Sequence, residues 1–149
     1  MVRAAVDIGA SYSKLVVLTD EGQMDTRLIK TRGFEETAIY LLDTAKQRHD
    51  LREAVVTGGG SSHLPSTLSG IRINRVDELQ ATGAGGLAMS GLKEAVVVSM
   101  GTGTAILHAT EAKTTHLGGT GVGGGTLIGL SKLLIGETDP EKLEQLALE

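Results

Sequence analysis

Thr115-His116-Leu117-Gly118-Gly119-Thr120-Gly121-Val122-Gly123-Gly124-Gly125-Thr126 is the stretch that decides the fold class. Six of its twelve residues are glycine, and an apolar, helix-like run follows it. Glycine has no Cβ, so a ligand can approach the backbone closely, and a helix start adds unpaired N–H groups. Two further Gly/Ser/Thr loops follow apolar strands, at Asp7-Ile8-Gly9-Ala10-Ser11 and at Ser99-Met100-Gly101-Thr102-Gly103-Thr104. The three loops together predict a clamp for nucleotide phosphates.

The composition narrows the class of protein. The chain has 149 residues, of which 40% are hydrophobic and 2% aromatic, so we expect one ordinary core of aliphatic side chains. A net charge of −4 argues against a broad nucleic-acid or membrane-surface patch. The absence of cysteine excludes disulfides and Fe–S clusters within the chain. Polar residues interrupt the apolar segment 4–18, which therefore reads as neither a signal peptide nor a membrane span, and we expect a cytoplasmic protein.

The hydrophobic pattern predicts a mixed β-sheet flanked by helices, which is an α/β fold. Strands are predicted over 3–7, 14–19, 25–31, 54–57, 71–76, 94–99 and 104–109. Helices are predicted over 35–49, 78–89, 126–134 and 140–148, the last with Asp139 as a possible N-cap. Residues 115–126 are interpreted as a glycine loop that leads into a helix.

Asp7 and Lys14 are the first candidates for chemistry. A carboxylate at the end of an apolar strand can hold Mg²⁺ while the N–H groups of the following turn contact phosphate. The alternative is a turn-forming aspartate that bonds to its own backbone. Lys14 could neutralise phosphate charge, or it could be an edge-strand lysine that faces water. The chain has no Walker-type P-loop, and its glycines do not form a Rossmann fingerprint.

Glu78 follows a predicted strand in Val76-Asp77-Glu78-Leu79. Such a carboxylate could take a proton from an attacking hydroxyl, although an acid in the first turn of a helix also has a structural reason to be there. His116 precedes the glycine loop and is a weaker candidate for a ligand contact. The four histidines lack metal-binding spacing, and Ser61-Ser62 lacks a nucleophile elbow.

These motifs, in this order, resemble the first half of a type II pantothenate kinase. The resemblance runs from residue 6 to about residue 136 and includes Asp7-Ile8-Gly9-Ala10-Ser11-Tyr12-Ser13-Lys14, Thr57-Gly58-Gly59-Gly60, Asp77-Glu78-Leu79, Met100-Gly101-Thr102-Gly103 and residues 118–130. It implies an actin-like (ribonuclease H-like) ATPase fold that uses ATP and Mg²⁺. It also implies a kinase that transfers the γ-phosphate to a hydroxyl of pantothenate in coenzyme A biosynthesis.

The resemblance also implies residue roles. Glu78 would be the catalytic base, and Asp7 the residue that holds the metal. ATP would be contacted by Asp7, Gly9, Ser11, Ser13, Lys14, Gly101, Thr102, Gly103, Gly121, Gly123, Gly124 and Gly125. The substrate positions would be Thr102, Ala105 and His116. The last two depart from the family, which has a serine and an arginine there, and a neutral histidine is a poor substitute for a bidentate guanidinium.

The departures leave other functions open. The chain could be another actin-like kinase, acting on a sugar or a related alcohol, or a non-catalytic nucleotide-binding or assembly half. We expect residues 1–117 to form an N-terminal ATPase lobe, and residues 118–149 to be the glycine loop and first helices of an incomplete second lobe. A second copy or a partner subunit would then supply the missing lobe. No nucleic-acid or membrane partner is expected.

Overall fold

The computed structural model describes residues 3–148. They divide into two compact units, one ending at Ala81 and the other beginning at Thr82. The first unit contains β1 (Arg3–Ile8), β2 (Tyr12–Leu18), β3 (Met24–Lys30), α1 (Phe34–Lys46), β4 (Glu53–Thr57), a 3₁₀ helix (Gly59–His63), β5 (Thr67–Leu68) and β6 (Ile71–Arg75). The helix α2 (Glu78–Ser90) contains the boundary between the units. The second unit continues with β7 (Glu94–Met100), β8 (Thr104–Thr110), β9 (Thr114–Thr120), α3 (Gly124–Ile135) and α4 (Pro140–Leu148).

The first unit is built on a six-stranded mixed sheet with the order β3-β2-β1-β4-β6-β5. β1, β2 and β3 are antiparallel neighbours, whereas β1, β4 and β6 run parallel. Alternate residues of each strand face the core, because side chains on a strand point to opposite faces in turn. Val6 and Ile8 of β1 and Val56 of β4 are fully buried with Leu41 and Leu42 of α1, and this core fixes the register of the parallel strands.

The second unit contains an antiparallel three-stranded sheet with the order β7-β8-β9. Leu107 and Ala109 of β8 are fully buried. Two glycines let α2 lie close to this sheet. A Cβ added at Gly86 would lie 2.6 Å from Cγ2 of Val97, and one added at Gly83 would overlap the side chain of Thr114. Close packing therefore explains glycines that lower the intrinsic propensity of the helix.

The elements predicted from the hydrophobic pattern are confirmed, with shifts of up to three residues at their ends. Asp139 is confirmed as the cap of α4, since its Oδ1 accepts the N–H of Glu141 at 3.0 Å. One prediction is wrong: residues 114–120 form strand β9, so the glycine loop is confined to the three residues between β9 and α3. β5 and the 3₁₀ helix were not predicted. The lobe boundary after residue 117 stays a prediction. Within residues 3–148, no helix has both the length and the apolar character needed to span a bilayer.

Candidate active site

The carboxyl ends of β1, β4 and β6 bring several of the predicted residues to one edge of the first sheet. The three strands are parallel neighbours, and Asp7 lies directly opposite Thr57 in the register of β1 and β4. Glu78 follows β6 at the start of α2. In α/β sheets, ligands bind in the crevice outside the carboxyl ends of the strands. This edge is therefore the natural place for a ligand in the first unit.

Asp7 and Lys14 form an ion pair at this edge. They are opposite each other in the antiparallel register of β1 and β2, and Lys14 Nζ lies 2.9 Å from Asp7 Oδ2. The side chains are 32% exposed for Asp7 and 58% exposed for Lys14. An exposed ion pair contributes only about 0–1 kcal/mol, so a stronger ligand can displace it. β2 lies between β1 and β3, so Lys14 is not on an edge strand as one interpretation had it.

Gly58 lies directly against the Asp7 carboxylate. Its φ of +87° lies in the left-handed region, and an added Cβ would come within 2.5 Å of Asp7 Oδ1 and 2.6 Å of the Ile8 carbonyl oxygen. Any other residue would therefore push the carboxylate out of position. The hydroxyl of Thr57, directly before Gly58, is buried and has no hydrogen-bond partner among residues 3–148. Neither residue was singled out for a role by the sequence analysis.

The β1–β2 turn contains Gly9 and Ser11. A Cβ on Gly9 would come within 2.5 Å of the carbonyl oxygen of Tyr12, so the turn needs glycine there. Ser11 is exposed at the turn, but Ser13 is fully buried. The Ser13 hydroxyl lies 2.8 Å from that of Thr31, which in turn donates to the Gly9 carbonyl at 2.8 Å. The side chain of Ser13 thus braces the turn, and its contact with ATP stays a prediction.

Glu78 lies in the first turn of α2 and is exposed. Its neighbour Asp77 caps the helix, because Asp77 Oδ1 accepts the N–H groups of Leu79 and Gln80, both at 3.0 Å. The Glu78 carboxylate has no hydrogen-bond or ion-pair partner among the described residues. Its Oε2 lies 3.7 Å from the position of a Cβ added at Gly59, beyond the end of β4. Asp77 therefore caps the helix, and Glu78 is an exposed acid in its first turn. Its role as a catalytic base stays a prediction.

The donor set at this edge fits Mg²⁺ in a nucleotide complex. Mg²⁺ is usually held by one or two carboxylates, by water and by substrate phosphates, and Asp7 supplies one carboxylate. Within residues 3–148, no group of three or more His, Asp or Glu side chains could hold a metal ion by itself. The residues therefore suit a metal that arrives with its phosphates.

In the second unit, the 101–103 turn packs onto the start of α3. Gly124 N–H donates to the carbonyl oxygen of Gly101 at 2.9 Å, and Gly125 N–H donates to that of Thr102 at 3.0 Å. Two N–H groups expected to be unpaired at this helix start are thus occupied. Gly123, the N-cap residue, is extended with φ of −173° and offers no side-chain cap.

The glycines of these two loops fall into two classes. A Cβ on Gly123 would lie 2.7 Å from the carbonyl oxygen of Thr102, and one on Gly125 would lie 2.7 Å from Cγ2 of Thr102 and 3.0 Å from its carbonyl oxygen. The start of α3 therefore packs directly against Thr102. A Cβ on Gly101 or Gly121 would meet no heavy atom of residues 3–148 within 4 Å. Packing therefore explains the first pair, whereas the second pair leaves room for a ligand to approach the backbone.

The two divergent substrate positions lie on adjacent strands of the second sheet. Ala105 of β8 is opposite Gly119, and His116 of β9 is opposite Leu107, beside an irregularity in the register at Ile106 and Leu107. His116 is exposed.

Comparison with known proteins supports the family suggested by the motifs. No family model matches the chain. A type II pantothenate kinase of Bacillus cereus (strain G9842) is 30% identical over 136 residues, which are 87% of this chain and 48% of that protein. One from Oceanobacillus iheyensis is 31% identical, with 99% of this chain and 54% of that protein covered. The chain thus spans about half the length of these curated relatives, and the resemblance to type II pantothenate kinases is confirmed.

Solved structures confirm the actin-like ATPase fold. The ethanolamine utilization protein EutJ of Carboxydothermus hydrogenoformans superimposes with a TM-score of 0.64 at 16% identity, covering 100% of this chain and 62% of that chain. A ROK family glucokinase of Streptomyces griseus, in complex with glucose and AMPPNP, has a TM-score of 0.58 at 15% identity, covering 80% and 48%. At these identities the likeness extends to the fold alone.

Proposed function

Because the chain is related to type II pantothenate kinases, we propose that it forms part of an ATP-dependent kinase of the pantothenate kinase type. The γ-phosphate would be transferred to a hydroxyl of pantothenate in coenzyme A biosynthesis. The observation that carries the proposal is the arrangement at the carboxyl edge of the first sheet. Glu78, which is exposed and has no partner among residues 3–148, lies at the same edge as the displaceable Asp7–Lys14 ion pair.

In the proposed mechanism, Asp7 would hold Mg²⁺, and the metal would supply neutralisation of the charge on the phosphates. Lys14 exchanges Asp7 for a phosphate oxygen, and the N–H groups of the Gly9–Ser11 turn donate to the phosphates. Glu78 accepts the proton of the substrate hydroxyl as that oxygen bonds to the γ-phosphorus and the bond to ADP breaks. Catalysis would then consist mostly of positioning and charge neutralisation.

The loops of the second unit would add further nucleotide contacts. Gly101, Thr102, Gly103, Gly121, Gly123, Gly124 and Gly125 are the proposed residues. The N–H groups of Gly124 and Gly125 already have carbonyl partners. Direct approach of phosphate to the backbone is therefore best accommodated at Gly101 and Gly121.

There are two candidates for the substrate, pantothenate and another small alcohol. Ala105 and His116 replace the serine and arginine that the family uses for pantothenate, which favours a different small alcohol, such as a sugar. Acceptor-dependent ADP release from Mg-ATP, measured with pantothenate and with a panel of hexoses, tests the two. Release with pantothenate alone supports the first candidate, and release with a hexose alone supports the second. The absence of acceptor-dependent ADP release with every acceptor would refute both candidates.

We also retain the proposed division into an ATPase lobe, residues 1–117, and the start of a second lobe, residues 118–149. We propose that the chain associates with a second copy or with a partner subunit. The α3 helix supports this, because its apolar side chains are exposed: Leu127, Leu130, Leu133, Leu134 and Ile135 are 51–80% accessible. Patches of this kind mark interaction surfaces. Sedimentation equilibrium tests the proposal, and a monomer over the full concentration range would contradict self-association. A non-catalytic binding half is the outcome if nucleotide binds without turnover.

A further inference from the structure

A cleft of about 380 Å³ lies beside the outer strand β3 of the first sheet. It is lined by the end of β3, the connection that follows and the first turns of α1, through Ile29, Lys30, Arg32, Glu36, Thr37 and Tyr40. None of these residues takes part in the proposed function. At about 4.8 Å per strand, the two-strand separation of β3 from β1 places the end of β3 roughly 10 Å from that of β1.

The cleft carries unmatched positive charge. Lys30 and Arg32 line it together with a single acid, Glu36. Across residues 3–148, neither cation forms an ion pair or a side-chain hydrogen bond. By contrast, Arg48 and Arg52 each pair with an aspartate. Two neighbouring cations in a recess repel each other, and a bound anion removes that repulsion.

The other lining groups indicate the class of anion. An arginine fork and a lysine ammonium together suit the oxygens of a phosphate or a carboxylate. Ile29 and the ring of Tyr40 add apolar surface, and the phenol adds a donor. A small organic anion with a compact apolar body matches this lining better than a bare ion does.

Thr31, which lies between Lys30 and Arg32 in the sequence, joins the cleft to the β1–β2 turn. Thr31 donates its backbone N–H to the carbonyl of Ser11 at 2.9 Å and its hydroxyl to the carbonyl of Gly9 at 2.8 Å. It also lies 2.8 Å from the buried hydroxyl of Ser13. A ligand held by Lys30 and Arg32 would therefore shift Thr31, and with it the hydrogen bonds from Thr31 to the turn.

We propose that the Lys30–Arg32 cleft binds a small organic anion, a phosphomonoester or a carboxylate, and that Thr31 transmits its binding to the Gly9–Ser11 turn. The binding itself goes beyond the proposed kinase function and does not depend on it. Through the turn, binding in the cleft would change the affinity for nucleotide, and this consequence alone rests on the proposed function.

Amide NMR shifts of the ¹⁵N-labelled chain test the binding, with methyl phosphate, inorganic phosphate and acetate titrated at constant ionic strength. We expect saturable shifts at Thr31, Arg32 and Thr37 with a dissociation constant of about 1 mM or tighter for at least one probe. A preference for methyl phosphate assigns a phosphomonoester, and a preference for acetate assigns a carboxylate. The double variant Lys30→Gln/Arg32→Gln should weaken binding at least tenfold. Arg27→Gln, an exposed charge on the same strand outside the cleft, should not. Shifts that never saturate, or equal losses in both variants, overturn the site.

Transmission has its own test. The amides of Gly9, Ala10 and Ser11 should shift in step with those of the cleft. Thr31→Val removes the hydroxyl but keeps the backbone bond to Ser11, so it should reduce the shifts of the turn while the cleft still binds, and Thr31→Ser should restore them. Turn shifts of full size in Thr31→Val overturn transmission through the hydroxyl. Because the readout needs no turnover, these outcomes can be told apart from failure of the kinase proposal.

Discussion

Replacing Gly123 by alanine should destabilise the second unit, and the structure sets the size of the effect. The φ of −173° is extended backbone that alanine adopts freely, so the cost comes from contact alone. The new Cβ would lie 2.7 Å from the Thr102 carbonyl oxygen, 2.8 Å from Gly103 Cα and 2.9 Å from the Gly101 carbonyl oxygen. All three are backbone atoms, so no rotamer change relieves the overlap.

The 101–103 turn must therefore move away from the start of α3. Overpacking of this kind costs about 1–3 kcal/mol. The movement also weakens the bonds from Gly124 to Gly101 and from Gly125 to Thr102, which are worth about 1 kcal/mol each when intact. We expect a loss of about 2–4 kcal/mol in the free energy of unfolding from these terms. Gly121→Ala is the matched control, because its Cβ meets nothing within 4 Å and surface changes of that kind stay within about 0.5 kcal/mol.

The two units need separate probes. Both tyrosines, Tyr12 and Tyr40, lie in the first unit and the chain has no tryptophan, so tyrosine fluorescence during urea unfolding reports that unit. Amide hydrogen exchange of β8 reports the second unit. Gly123→Ala should accelerate exchange in β8 and leave the tyrosine transition nearly unchanged. Equal exchange in Gly123→Ala and Gly121→Ala would refute the packing explanation of the glycine cluster.

Three further predictions concern the first unit and the α3–α4 connection. Thr57→Val removes a buried hydroxyl that has no partner within the described part of the chain, and it should raise the free energy of unfolding by about 1 kcal/mol, measured by urea midpoint. A clear loss of stability would show that the hydroxyl is satisfied in solution. Asp77→Ala should cost about 0.5–2 kcal/mol through the lost cap, whereas Asp77→Asn should be nearly neutral in thermal unfolding. The pKa of Glu137 is lowered by the N–H groups of Asp139 and then Thr138. The ionised Glu137 carboxylate should therefore stabilise the fold above the ordinary glutamate pKa, and this effect should disappear as pH falls through the lowered pKa. A carboxyl NMR titration measures this pKa, and a value at or above the ordinary one would contradict the prediction.

The strands and helices were predictable where the hydrophobic period was clear, as in β1, β2 and α1. β9 was missed because Gly118 and Gly119 read locally as a loop. Their place in a strand depends on pairing with β8, where a Cβ on Gly119 would overlap the Thr104 carbonyl. Such long-range pairing leaves no signal in the local sequence.

The sequence predicted which residue types follow the strands at the site. It did not predict which atoms those residues contact. The burial of Ser13 could have been inferred, because it shares a face with Leu15 and Val17 at a period of two. The pairing of Asp7 with Lys14 follows from strand register, which the sequence alone does not give. The contacts of Thr31 and Gly58 arise only when separate segments meet, so they could not be read from the sequence, although Gly58 belongs to one of the motifs that carry the resemblance.

The most direct test of the central claim is the effect of Glu78→Gln on acceptor-dependent phosphoryl transfer from Mg-ATP. Glutamine keeps the shape of the side chain and its place in the first turn of α2, but it cannot accept the substrate proton. We expect kcat to fall by about 10²–10⁴-fold while KM for ATP and the melting temperature stay unchanged. A variant that keeps near-full activity, or one whose main defect is lost stability, would contradict the account.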